Sequence, residues 1–147
     1  MSDLMDLNLD EVQDPTIVDD GIYQATIVYA SPKYGKDSGR PFISMLHQVN
    51  DNEDAKPIND NLMYPVSDDK ESTKKLFLRN MKSFCVSAGI DFTEFESSCR
   101  EAFTELDEGV EKPRIKFLEG QQVTIKVKTE KNDTTGELNN VIDRYVA

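Results

Sequence analysis

Near its C-terminal end the chain alternates strictly. In "VTIKVKTE" the apolar Val123, Ile125 and Val127 fall on one side and Thr124, Lys126 and Lys128 on the other. A period of two predicts a strand with one buried face. Residues 21–30, "GIYQATIVYA", are rich in β-branched and aromatic side chains and predict a first strand, with Tyr23, Ala25 and Ile27 on its core side. "FISMLHQV" (42–49) predicts a second strand, and "INDNLMYPV" (58–66), where Ile58, Asp60, Leu62 and Tyr64 alternate, a third. Between the first two lies the turn region "SPKYGKDSGRP". The period then changes. Across 67–89, Phe77, Met81, Phe84, Cys85 and Ala88 recur at helical spacing, Asp68 and Glu71 have the spacing of a capping box, and Gly89 is placed to stop the helix. A shorter helix is predicted from Thr93 to Phe103. Strands over Gln122–Glu130 and Asn139–Val146 follow, joined by a hairpin turn around "NDTTGE".

Length and charge refine this picture. At 147 residues the chain holds one domain with a real core. We place that domain at 21–147, behind an acidic flexible arm at 1–20. The formal charge is -11, but it is uneven. Residues 1–20 carry seven acids and no base, and residues 91–111 carry eight acids against Arg100. Of 28 acids and 17 bases, 13 and 16 remain elsewhere, a net of +3. A mildly basic body with two acidic appendages does not exclude an anionic ligand, because the field at a binding face is local. No apolar run approaches the roughly 20 residues of a membrane span, and the N-terminus lacks the basic region of a secretory signal, so no membrane partner is expected. Cys85 and Cys99 read as buried free thiols. With one histidine and no Cys-x-x-Cys pair, neither a metal site nor a cofactor is expected.

The element order is three strands, two helices, then two strands. A five-stranded barrel with helices between strands three and four is the OB-fold arrangement; an open five-stranded α+β sheet with the helices on one face is the alternative. The chain resembles a family of small phage OB-fold proteins from replication and recombination modules, which includes single-stranded-DNA-binding proteins. The resemblance rests on "GIYQATI" after an acidic leader, "SGRPFISMLHQV", "FLEGQQVTIKVKTE" and "NNVIDRY", and spans roughly residues 20–146. It implies a non-enzymatic protein of the host-cell cytoplasm that binds single-stranded DNA during phage DNA replication or recombination. Many such binders recruit partners through an acidic C-terminal tail. Here that role would fall to the N-terminal arm, with phage or host replication and recombination proteins as the partners. A homo-oligomer is compatible with the sequence.

Nonspecific single-strand binding needs cations along the backbone path and aromatic faces for the bases. Lys33, Lys36 and Arg40 lie in the first long loop; Lys126, Lys128 and Lys131 lie on the fourth strand and its exit; Arg144 lies on the fifth. Tyr34, Phe42, Tyr64 and Tyr29 are the aromatic candidates. Loops one-two and four-five flank the groove of an OB-fold. The bland reading makes Lys126 and Lys128 the solvated side of a half-buried strand. Tyr145 reads as core or strand anchor more than as a stacking ring, His47 as a packed histidine, and Lys74, Lys75, Arg79 and Lys82 as the wet face of the first helix. Acid pairs such as Asp19–Asp20 and Asp68–Asp69 sit where they can cap, and the glycines of "YGKDSGRP" are not followed by a helix, so no catalytic centre is predicted. The alternative function is a protein-interaction module that binds no DNA, with a nuclease a distant third.

Overall fold

The alternating segments become β1 (Gly21–Tyr34), β2 (Pro41–Val49), β3 (Ile58–Met63), β4 (Gln122–Lys131) and β5 (Leu138–Val146), with α1 (Glu71–Ala88) and α2 (Phe92–Asp107) between β3 and β4. The computed structural model describes residues 4–7 and 15–147. All strand pairs are antiparallel, in the order β3-β2-β1-β4-β5. Ala25, Ile27, Ile43, Met45, Ile125 and Val127 line one face of the sheet and pack with Met81, Phe84 and Cys85 of α1 and Phe95, Cys99 and Ala102 of α2 in a single core.

β1 runs four residues further than its sequence predicts. Ser31–Tyr34 continue the ladder with β2, up to the pair Tyr34↔Pro41. A bulge at Val28 makes this possible. Before it, Gly21–Thr26 pair with β4; beyond it β1 keeps only β2 as a strand partner, and Pro32, with no N–H to give, falls in this edge-like half. On the side that β4 leaves, from Ile27 onward, β1 takes single backbone bonds from the approach to β4, Gly120 N–H to the Ile27 carbonyl at 2.7 Å and Ile115 N–H to that of Ala30 at 2.8 Å.

The barrel reading is corrected. β3 and β5 are the two edges of an open sheet with no ladder between them, which is the alternative arrangement. A ladder needs strands about 4.8 Å apart. Here side chains fill the gap: Tyr145 on β5 donates its hydroxyl to Asp60 on β3 at 2.8 Å and lies 3.0 Å from His47 Nε2, while Phe84 of α1 meets the Tyr145 ring edge-on at 5.0 Å. A second tie crosses at the other end. Thr16 forms a parallel bridge with Ala55, and the Val18 N–H and carbonyl are both held by the Asn140 side chain, at 2.8 and 2.9 Å. The last residues of the acidic arm therefore lie against the domain. Leu4 and Leu7 are exposed, and Leu9 falls outside the described residues.

The capping box is also corrected. Lys70 is the N-cap of α1 and supplies no side-chain cap. Asp68 does not cap, and Asp69 is held by Arg40 and the Val66 N–H instead. Gly89 does end α1 in the left-handed conformation, φ 68°. α2 begins one residue before and ends four after the predicted span, capped by Asp91, whose carboxylate accepts from Glu94 N–H at 3.2 Å. Cys85 and Cys99 are buried and unbonded, and burial pushes their thiols up to about 11 and about 12.

Two predictions follow from the seam. Tyr145→Phe removes the donor to a largely buried Asp60 and should cost about 1–3 kcal/mol in urea unfolding. The second concerns pH. Burial holds His47 down at about 4 from an ordinary 6.5, against a bond from its Nδ1 side to the Ile58 carbonyl. Between those values the unfolded chain binds the extra proton, so stability falls as pH drops through the window, by an order of 3 kcal/mol at most. Asp60 works in the opposite direction: burial raises its pKa, so the folded carboxyl protonates first as pH falls, which offsets part of the loss. Unfolding free energies of wild type and His47→Gln between pH 7 and pH 4 should show the acid-side loss flattened in the variant.

Candidate nucleic-acid interface

The β1–β2 hairpin carries the first group of candidates. Its tip closes through Gly35 N–H to the Arg40 carbonyl and a left-handed Gly39. Lys33 and Lys36 are exposed and form no ion pair among the described residues. Tyr34 leans on Phe103 of α2, ring centres 5.5 Å apart, and its hydroxyl donates to Asp107 at 2.7 Å; that bond to a carboxylate raises the phenol's pKa. Tyr64 meets the same Phe103 edge-on at 5.6 Å, and its pKa rises through burial. Phe103 thus sets two tyrosines around one support. Two open clefts meet at Tyr34. One, of about 550 Å³, is lined by Tyr34, Tyr64, Phe103, Arg100 and Asp107; the other, of about 640 Å³, by Tyr29, Ser31, Lys33, Tyr34 and Lys112.

The other members of this group are anchored. Arg40 grips both carboxylate oxygens of Asp69, one at 3.0 Å, and its guanidinium lies 5.4 Å over the Phe77 ring. The pairing holds the Asp69 carboxyl down at about 2, and ties the hairpin to the start of α1. Phe42 is half-buried, paired with Lys33 on one side and Met63 on the other.

The lysine row lies at the other end of β1. Lys126 pairs with Ile22, eleven residues before Lys33, a path of about 35 Å along a strand. Arg144 stands opposite Lys126, so both face outward with Lys128. A bulge in β5 turns Asp143 onto this face, where its carboxylate lies 3.8 Å from Lys126 and 3.6 Å from Lys128; Glu130 lies 3.6 Å from Lys128. Lys131 is exposed. The outward neighbours here, Ile22, Thr124, Val141 and Val146, bring no ring. Asp20, from the arm, accepts a bond from Thr129 at 2.7 Å on the opposite face of β4. The structure therefore separates the candidates: lysines without rings at one end of β1, and tyrosines with free lysines at the other.

Phe103, Asp107 and Lys112 carry no signal of this role in the sequence, since Phe103 fits the apolar face of α2 with Phe95 and Cys99. Tyr29 packs under Arg114, whose guanidinium lies 5.0 Å from the ring centre. The hairpin side carries the exposed Lys33 and Lys36, and the α2 side sets one base and one acid, Arg100 and Asp107, on the tyrosine cleft. No family model matches the chain, and no curated protein matches it.

Phe103→Leu keeps an apolar body and deletes the shared ring. Two ring pairs at about 0.5–1.5 kcal/mol each set the expected loss at roughly 1–3 kcal/mol. The ring resonances of Tyr34 and Tyr64 should move together in the NMR spectrum; independent behaviour would mean that Phe103 is not their common support.

Proposed function

We propose that the protein binds single-stranded DNA with little sequence specificity, through the cleft between the β1–β2 hairpin and α2. The observation that carries this is the placing of Tyr34 and Tyr64 on Phe103 beside Lys33 and Lys36, both exposed. Rings offer faces to bases, and cations beside them meet phosphates. The resemblance to phage OB-fold binders supplies the setting: phage DNA replication or recombination in the host cytoplasm. The strand order β3-β2-β1-β4-β5, with helices between β3 and β4, is compatible with an OB-like topology whose seam stands open. In that setting the lysine row is a second stretch of backbone track, and the acidic arm, whose Asp20 sits on the same strand, competes with DNA there or recruits a protein partner.

One observation favours a second reading. Asp107 at the tyrosine cleft, with Glu101 and Glu105 on the next cleft along α2, gives this helix an acidic surface that suits a basic protein partner. In this reading the chain is an interaction module that binds no DNA.

Titration with labelled oligo-dT at several salt concentrations separates the two. With three to five phosphates neutralised, log K should fall with log salt at a slope of roughly −2 to −3.5. No binding at low salt removes the first reading. Tyr34→Ala should cost about 1–3 kcal/mol of oligo-dT affinity if the ring stacks on a base. Charge reversal then locates the track. Lys33→Glu with Lys36→Glu should weaken binding more than Lys126→Glu with Lys128→Glu, because Asp143 already offsets the second pair. The opposite order would move the main track to the β4–β5 face.

A further inference from the structure

Among the described residues, the Ser31 hydroxyl is the one buried side-chain polar atom with no hydrogen-bond partner. Ser31 is 2% exposed and stands on the half of β1 beyond the bulge. A hydroxyl removed from water without a partner is a disfavoured arrangement, and such groups in a native fold call for an explanation. Ser31 lines the 640 Å³ cleft, within the size range of small-molecule sites. The walls of that cleft have a particular chemistry. Tyr29 and Tyr34 supply aromatic faces, Pro32 and Pro113 apolar floor, and Lys33 and Lys112 two ammonium groups. Lys112 holds a left-handed backbone, φ 50°, an uncommon conformation for a residue with a side chain.

Resting on the single-strand reading, we propose that this cleft seats one nucleotide unit. Its base lies against the tyrosine rings, its phosphate sits between Lys33 and Lys112, and a turn of the Ser31 side chain to another staggered rotamer brings its buried, unpartnered hydroxyl to a polar group on the base edge. Each part answers one feature of the cleft. A planar apolar group suits the rings, an anion suits the two lysines, and a hydroxyl that both donates and accepts can meet the edge of any base. A simple phosphate would leave the rings and Ser31 unused. A basic peptide would face two lysines. The cleft thus selects an anionic aromatic ligand. The unit is either part of a bound strand or a free nucleotide, and the two sources share this chemistry.

The test uses the full chain. It has five tyrosines and no tryptophan, and two of the five rings line the cleft, so tyrosine emission responds to its occupancy. Wild type, Ser31→Ala and Lys112→Ala are titrated with dTMP, dAMP, deoxythymidine, inorganic phosphate and oligo-dT, with Lys75→Ala, at an exposed α1 position outside the cleft, as the control. At least one nucleotide should bind, tenfold or more tighter than deoxythymidine or inorganic phosphate. Ser31→Ala and Lys112→Ala should each weaken it about five- to tenfold. Ser31→Ala should leave the melting temperature unchanged or higher, since it deletes an unpartnered hydroxyl; a purely structural serine would lower it. If oligo-dT weakens in step in both variants, the unit belongs to a strand. If only the mononucleotide weakens, the cleft takes a free nucleotide. Nucleotide binding without any oligo-dT binding would keep the cleft and remove the single-strand reading. Oligo-dT binding that neither substitution changes, with no nucleotide bound, would overturn the cleft and leave that reading standing. Failure of every ligand would remove both.

Discussion

β1 must serve two partners, and much of the molecule follows from how it does so. Fourteen residues form one strand, but β4 pairs only with its first six, while β2 pairs from Ala25 onward. The bulge at Val28 separates the two halves, bending the strand and freeing its second half from β4. That freed edge is where the approach to β4 docks, with Ile115 and Gly120 bonded to it, and where α2 comes to rest through Phe103 and Tyr34. The aromatic clefts exist because β1 outruns β4. The lysine row lies at the opposite end for the same reason.

The seam is the second consequence. A sheet that bends this far brings its edges close without joining them. Tyr145 and Asp60 occupy the space a ladder would need, and Phe84 of α1 packs over the tyrosine ring. This closure is chemically conditional. The Tyr145 hydroxyl has one proton and two neighbours, Asp60 at 2.8 Å and His47 Nε2 at 3.0 Å. With His47 donating from Nδ1 to the Ile58 carbonyl, its Nε2 carries a lone pair, so the neutral-histidine state leaves one contact short of a hydrogen. A buried network of this kind fixes one arrangement of the edges at the expense of acid tolerance. The tie from Thr16 and Val18 at the other end needs no proton, being made by backbone and amide groups.

Periodicity made the strands and helices legible, since Ile27, Ile125 and Val127 face the core for the same reason that they alternate with polar residues. Gly89 marked its helix end because only a left-handed residue fits there. What stayed hidden was pairing across long separations. Ser31–Tyr34 look like a turn because Ser, Pro and Lys precede two glycines, yet ladder bonds to Pro41–Ser44 override that local preference. Asp68 and Glu71 have the right spacing for a cap, but the neighbouring Asp69 is claimed by Arg40 from twenty-nine residues away. The choice between barrel and open sheet turned on Tyr145 and Asp60, eighty-five residues apart, and no local pattern reports such a contact. Among the candidate site residues, Lys33, Tyr34 and Lys36 were legible as a cationic loop around a ring; Phe103, which orients that ring, was hidden in an ordinary helical face.

The charge paradox of an acidic chain with lysine-bearing strands now has a spatial answer. Fields at exposed surfaces fade over about 8 Å at physiological ionic strength, so net charge matters less than which acid stands next to which base. On the β4–β5 face the bulge brings Asp143 between Lys126 and Lys128, and Glu130 lies beside Lys128, so much of that row's charge is met internally. On the hairpin, Lys33 and Lys36 are exposed with only Asp37 beside them in the turn, and Asp107 of α2 is tied to the Tyr34 hydroxyl. On the α2 side a phosphate would meet Asp107 and Arg100 together, a base and an acid that offset each other, whereas on the hairpin side it would meet exposed lysines. The geometry therefore favours ligands that put their planar group toward α2 and their anion toward the hairpin, an orientation imposed by the walls of the cleft and not by the charge of the whole chain.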